Sequence, residues 1–170
     1  MKHVVRAIAL ILTLLWIAFI FGNSLDSGAE SSAKSSTVHE VVNELAASLG
    51  AKEEISEKTI RTSAHFAEFA VLSLLFCIDA ALFFSLSPAR RFGRDHLSLL
   101  LSLPVALLTA GIDEWLQRIS PGRACQFIDV LVDFAGAICG MLFFVLVFAF
   151  IRLIAFAKQK KKEENENTST

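Results

Sequence analysis

The stretch "GIDEWLQRISPGRACQFIDVLVDFAG", residues 111–136, holds Asp113, Glu114, Arg118, Arg123, Asp129 and Asp133 between two strongly apolar runs. Pro121-Gly122 near its middle reads as a turn. An apolar run, a charged turn and a second apolar run make a hairpin, and the run length decides its kind. At 1.5 Å rise per residue, Leu97–Ile112 and Phe134–Ile151 are each roughly 24–27 Å long, close to a hydrocarbon core of about 30 Å once the flanks are counted. The hairpin is therefore read as a pair of membrane-crossing helices.

Two further apolar blocks lie outward from it, Val4–Phe21 and Phe69–Leu86. The chain has 170 residues, 54% hydrophobic, with 15 Phe and no Tyr, and this apolar content is clustered instead of spread with a globular period. The fold class expected is all-α: an integral membrane four-helix bundle in one domain, 1–157, with spans at about 4–22, 64–86, 97–113 and 128–152. The first block follows Lys2 and Arg6 as a secretory signal would, but "FGNSLDSGAESS" offers no small-x-small cleavage site, so an uncleaved anchor is expected. Cys77, Cys125 and Cys139 have no paired spacing and read as small packing residues. Such a chain has the lipid bilayer as its partner and no soluble catalytic domain. Nothing in it points to nucleic acid, and its oligomeric state is not legible.

Orientation follows from Lys and Arg. With the N-terminus inside, one side holds Lys2, Arg6, Arg90, Arg91, Arg94, Arg152, Lys158, Lys160, Lys161 and Lys162. The other side holds Lys34, Lys52, Lys58, Arg61, Arg118 and Arg123, together with twelve of the seventeen acids. Both termini are thus expected in the cytoplasm of a multi-pass plasma-membrane protein, with "SPARRFGR" as the sharpest marker. The first outer loop should begin irregularly at "NSLDSGAESSAKSS". An amphipathic helix, "TVHEVVNELAASLG", should follow, lying on the outer leaflet or over the bundle and stopping at Gly50. The end of the chain, 158–170, reads as a disordered cytoplasmic tail.

Depth and azimuth then locate the charges. Counted from the cytoplasmic end, the second span reaches Glu68 and His65, the third Asp113 and Glu114, the fourth Asp133 and Asp129, and the first Asn23 and Ser24. Four helices bring polar groups to one level near the outer hydrocarbon boundary. Arg61, His65 and Glu68 share a helix face at i, i+4, i+7, and Asp129 and Asp133 share a stripe with Gly136 and Gly140. Gly136-x-x-x-Gly140 permits close helix approach, so the acids point inward if the glycines do. Pro104 is a candidate kink in the third span, and Asp79, deeper in the second, has Arg90 or Arg91 as its nearest expected partner.

Ionisable groups cost about 2.5–3.5 kcal/mol each at the helix centre on insertion scales, less near the interface, so a convergence of them marks a functional site by default. His65 and Glu68 are candidate acid–base residues. Arg61, Gln117 and Arg123 are candidate ligand or anion-binding residues, and Asp113, Glu114, Asp129 and Asp133 are a candidate divalent-cation site. The competing reading makes the layer structural, with Arg61 and Arg123 neutralising the carboxylates and locking the helices. Thiolate zinc chemistry, zincin, serine-hydrolase and phosphate-loop motifs are all missing from the pattern.

"RTSAHFAEFAVL" (61–72) with "DEWLQRISPGRACQFIDVLVDFAGAICG" (113–140) resembles the VanZ-like family of small bacterial membrane proteins. The likeness rests on Arg61, His65, Glu68, Asp113, Glu114, Gln117, Pro121, Gly122, Arg123, Asp129, Asp133, Gly136 and Gly140. "FGNSLDSGAESSAKSS" resembles the Ser-containing segment after the first span of that family, so coverage runs from about Phe19 to Leu142. Phe69 departs from the family, where Tyr is common, and removes a hydroxyl from the site. The resemblance implies a cell-envelope role linked to glycopeptide, specifically teicoplanin, susceptibility, and it implies no settled reaction. Two functions are compatible with it. One is engagement, and turnover, of a lipid-linked envelope precursor at an outward-facing site. The other is a non-catalytic membrane binding or shielding module whose charged layer is helix-locking salt bridges.

Overall fold

The computed structural model describes residues 2–84, 94–123 and 126–167. It is built of helices α1 (Lys2–Leu25), α2 (Gly28–Ser48), α3 (Glu57–Phe83), α4 (Ser102–Ile119) and α5 (Phe127–Asn167), with a 3-10 helix at Arg94–Leu101 leading into α4. Four segments are long and apolar enough to cross a membrane: Lys2–Leu25, Glu57–Phe83, Ser98–Ile119 and Phe127–Lys160. Their mean hydropathies are 2.6, 2.1, 1.5 and 2.7, and the lowest belongs to the segment that carries Asp113 and Glu114. Large apolar residues such as Leu15, Leu108, Leu146 and Phe156 lie exposed on the bundle's outside, which suits lipid as solvent. The expected four-span helical bundle is what the chain forms.

The most extensive helix contact is α3 against α5. It depends on the glycine stripe: a Cβ on Gly136 would collide with the Phe66 carbonyl oxygen, and one on Gly140 with that of Ala70. Two missing side chains one turn apart thus let two backbones touch, which is how small residues associate helices in lipid. Above this seam Ile20, Phe69, Leu72 and Ala110 form one buried cluster, braced by Trp16. The Trp16 indole also donates to the Glu68 carbonyl oxygen at 2.9 Å. Cys77, Leu99 and Met141 form a second cluster. Both Cys77 and Cys139 are free; Cys77 is the packing residue expected, whereas Cys139 is exposed on the outside of α5.

Three local expectations need correction. The Ser-rich start of the first loop is helical, because Ser27 and Glu30 form a capping box: the Ser27 hydroxyl accepts from Glu30 N–H, and the Glu30 carboxylate accepts from Ser27 N–H. That signature starts α2 nine residues before Thr37, at Gly28. Gly50 does stop it, at φ +92, with Gly50 N–H bonded to Ala47 O and Ala51 N–H to Ala46 O in a Schellman arrangement. Pro104 does not kink a long helix. It lies in the first turn of α4, where its missing N–H costs nothing, and the chain before it winds as 3-10. Finally, α5 continues through the Lys- and Glu-rich segment to Asn167, past residue 158 where a tail was expected. These residues are good helix formers and contain no breaker.

Asp79 is buried and accepts from the Thr13 hydroxyl of α1 at 2.7 Å. Its expected partners Arg90 and Arg91 lie outside the described residues, as does Cys125.

Candidate functional site

Each site residue is placed by a local feature of its own helix. Ser56 caps α3 by accepting from Thr59 N–H, so Arg61, His65 and Glu68 line the first turns of that helix. Pro121 and Gly122 make the α4–α5 turn, with Gly122 at φ +76 and Arg123 N–H reaching Ser120 O at 3.3 Å, as a Pro-Gly turn of type II demands. The Gly28 N–H donates to Pro121 O at 2.8 Å. A Cβ on Gly28 would strike the Gly122 carbonyl, so this glycine lets the start of α2 rest directly on the turn.

Asp113 and Asp133 are both fully buried, and their environments differ. Asp113 is held on both oxygens: Oδ1 accepts from the Ser24 hydroxyl of α1 in a short bond, and Oδ2 from Gln117 Nε2 at 2.8 Å. Ser24 and Gln117 are themselves buried. Neither oxygen of Asp133 has a hydrogen-bond partner, and its Oδ1 lies 3.6 Å from His65 Nδ1, which is also unbonded. One ligand atom from each of His65, Asp113 and Asp133 falls within 4.8 Å of the others, so α3, α4 and α5 meet at one point.

Glu114 and Asp129 are placed elsewhere. Glu114 Oε1 accepts from the backbone N–H of Gln126, bracing the entry to α5, and its other oxygen is buried without a partner. Asp129 is half-buried in the first turn of α5, a favourable place for an acid. Of the four acids read as a cation set, Asp113 and Asp133 therefore come together with His65, whereas Glu114 and Asp129 stand outside that group.

The guanidiniums form the other half of the site. Arg123 Nη1 donates to the carbonyl oxygens of Asn23 and Ser24 at 2.9 and 3.4 Å, closing the C-terminal end of α1. Among the described residues, the ion pairs within 4.0 Å are Lys34–Asp26 and His65–Asp133, so neither Arg61 nor Arg123 is paired with a carboxylate. Burial, and after it the neighbouring Arg61, hold the Arg123 guanidinium below its usual value. Two cavities flank these arginines. The first, of about 190 Å³, is lined by Arg61, His65, Glu68 and Arg123 with Asn23, Ser31 and Lys34 of α1 and α2. The second, of about 210 Å³, is lined by Arg61, Gln117, Arg123, Gln126 and Asp129 with Ser31. Arg61 and Arg123 belong to both walls.

Glu68 accepts from Asn23 Nδ2 at 3.2 Å, and the structure contains no hydrogen bond between it and His65 among the described residues. The two share a cavity wall, but His65 turns Nδ1 toward Asp133. Sequence reading placed Asn23 and Ser24 in the polar layer without assigning them to Glu68 and Asp113, and it missed Ser31 of α2 as a lining group. Ser31 becomes legible once the Ser27-x-x-Glu30 box is recognised.

A family model described as VanZ/LLP1 matches residues 9–151. No curated protein and no solved structure matches the chain. The match spans most of the chain and extends on both sides the stretch whose residues resemble that family, so the chain belongs to the VanZ/LLP1 family.

Proposed function

We propose that this VanZ/LLP1 membrane protein binds the phosphate-bearing headgroup of a lipid-linked envelope component at the outer face of the bilayer. The observation that carries the reading is the unpaired Arg61 and Arg123 on the walls of two cavities. Arg61 and Arg123 line the same two cavities and repel one another, no carboxylate lies within 4.0 Å of either among the described residues, and an anion between them offsets the repulsion. Guanidiniums suit a phosphate because their donors are fixed in a planar fork. Lys34, the other cation of the first cavity, is neutralised by Asp26 at 2.6 Å, which leaves the arginines as the anion-seeking groups.

Size narrows the ligand. Pockets for drug-sized molecules run to about 300–1,000 Å³, and a cavity of about 190 Å³ takes a headgroup but not a lipoglycopeptide. Teicoplanin susceptibility would then change because an envelope lipid is sequestered or altered, not because the antibiotic enters this site. The outward orientation rests on the Lys and Arg asymmetry between the two sides. The helix-locking alternative requires arginine–carboxylate pairs, and the described residues offer none within 4.0 Å. Binding is the core of the proposal. Proton transfer by His65 and Glu68 joins it only if phosphate release from a lipid-linked pyrophosphate is observed and is lost in His65→Ala and Glu68→Ala.

The test is to express wild type and Arg61→Ala in a susceptible Gram-positive host and compare teicoplanin susceptibility at matched membrane yield. Wild type should shift susceptibility and Arg61→Ala should not. An equal shift by both proteins would remove the anion reading.

A further inference from the structure

We infer that His65, Asp113 and Asp133 form a buried binding site for one divalent transition-metal cation, of the Zn²⁺ or Mn²⁺ class, at the meeting point of α3, α4 and α5. This goes beyond headgroup binding, and its residues differ from the four-acid set suggested by the sequence.

Asp133 is the decisive group. It is fully buried, both its oxygens lack a hydrogen bond, and it lies beside His65 Nδ1, which lacks one too. Buried polar atoms in folded proteins are nearly always bonded, so three orphans in one place need an occupant. Arginine is not the occupant, since no guanidinium comes within 4.0 Å of Asp133 among the described residues. A proton alone does not suffice. It would remove a charge, but no acceptor lies within hydrogen-bond distance of either Asp133 oxygen, and 3.6 Å to His65 is too long for such a bond.

A cation suits the His65–Asp133 separation of 3.6 Å, with an Asp113 oxygen within 4.8 Å of both ligand atoms. Ligands about 2.0–2.2 Å from a tetrahedral ion stand about 3.4 Å apart, close to the His65–Asp133 separation. Charge agrees as well: two carboxylates and a neutral imidazole balance one dication. The imidazole excludes a Mg²⁺- or Ca²⁺-type all-oxygen site and favours Zn²⁺ or Mn²⁺. Around the ligands, Ser24 and Gln117 orient Asp113 by two hydrogen bonds, as outer-shell groups do at metal centres. Three protein ligands leave a coordination position open. His65 also lines the first cavity, which makes it the one ligand shared between the metal site and that cavity.

The experiment uses full-length protein in detergent, stripped with EDTA, reloaded separately with Zn²⁺ or Mn²⁺, desalted and assayed by mass spectrometry of the metal. One ion per chain is expected. His65→Ala and the near-isosteric Asp133→Asn should retain none, whereas Asp129→Asn and Glu114→Gln should load as wild type does. Ser24→Ala or Gln117→Ala should weaken loading about 10- to 100-fold. Arg61→Ala should load normally, which separates this site from the headgroup reading. Wild type that binds neither metal overturns the site, and so does equal loading of Asp133→Asn. If Asp133→Asn does not fold, the wild-type stoichiometry and His65→Ala decide.

Discussion

Helix α3 meets α5 and α2 in opposite ways. Against α5 it packs backbone to backbone through Gly136 and Gly140, with Asp133 buried beside the seam. Against α2 it leaves an open cavity, and α2 has no buried residue at all. A seam built from absent side chains cannot yield, because there is nothing between the helices to rearrange. A face with no buried side chain can adjust at small cost. The rigid side thus positions Asp133 and His65, and the adjustable side covers the cavity where a headgroup would enter.

The largest effects should come from filling the seam. Gly140→Leu puts a side chain into the Ala70 carbonyl, and the cost should meet or exceed the upper end of ordinary overpacking, about 3 kcal/mol. The protein should lose its monodisperse peak in fluorescence-detected size exclusion. Gly111→Ala is the control: nothing lies within 4 Å of a Cβ there, and an interior helix alanine is favoured over glycine by up to about 1 kcal/mol. If both variants behave alike, the contrast between packed and open glycines is wrong.

Arg123→Ala should come next. It removes the charged donor on the Asn23 and Ser24 carbonyls, a bond class worth about 1.5–3 kcal/mol, and should lower the thermal midpoint in nanodiscs. Arg61→Ala should stay within about 0.5 kcal/mol of wild type, because Arg61 has no hydrogen bond or carboxylate partner among the described residues to lose. An equal loss of stability in the two variants would return the guanidiniums to a structural role.

The smallest effect belongs to the cover. Ser27→Ala removes the α2 cap and should cost that helix about 1 kcal/mol, read as faster amide exchange over 28–35 with α3 unchanged. The Ser27 hydroxyl bond, more than any other contact, holds the Glu30 carboxyl below its ordinary value of 4.5. A carboxylate lowered in the folded state stabilises above its unfolded value and ceases to do so as pH falls through the folded one. Exchange over 28–35 should therefore quicken as pH drops below about 4.5, once corrected for intrinsic rates, and should not do so in Glu30→Gln.

What could be read from the residues divides along physical lines. Apolar run length gave the spans, and the Gly136-x-x-x-Gly140 spacing correctly indicated an inward face for Asp133. Pro121-Gly122 marked a turn whose φ of +76 needs glycine. These are local signals, carried by neighbours in sequence. Partners across helices are set by packing, and there the pattern ran out. Asp129 and Asp133 share a stripe, yet one turn of depth puts Asp133 in the seam and leaves Asp129 on a cavity wall. Arg123, a candidate anion-binding residue from its sequence position, also closes α1, which no spacing could reveal. His65 and Glu68 share a cavity wall, yet His65 Nδ1 lies 3.6 Å from Asp133 of α5, a proximity across helices that their spacing along α3 does not encode.

The central claim is that Arg61 and Arg123 serve an anionic headgroup. The most direct measurement is a binding titration of purified protein in nanodiscs with a polyprenyl phosphate, beside the same polyprenyl chain ending in an alcohol. The phosphate should bind and the alcohol should not, and Arg61→Ala should weaken phosphate binding about 10- to 100-fold without lowering thermal stability. Equal binding of the two lipids, or undiminished phosphate binding by stable Arg61→Ala, would contradict the account.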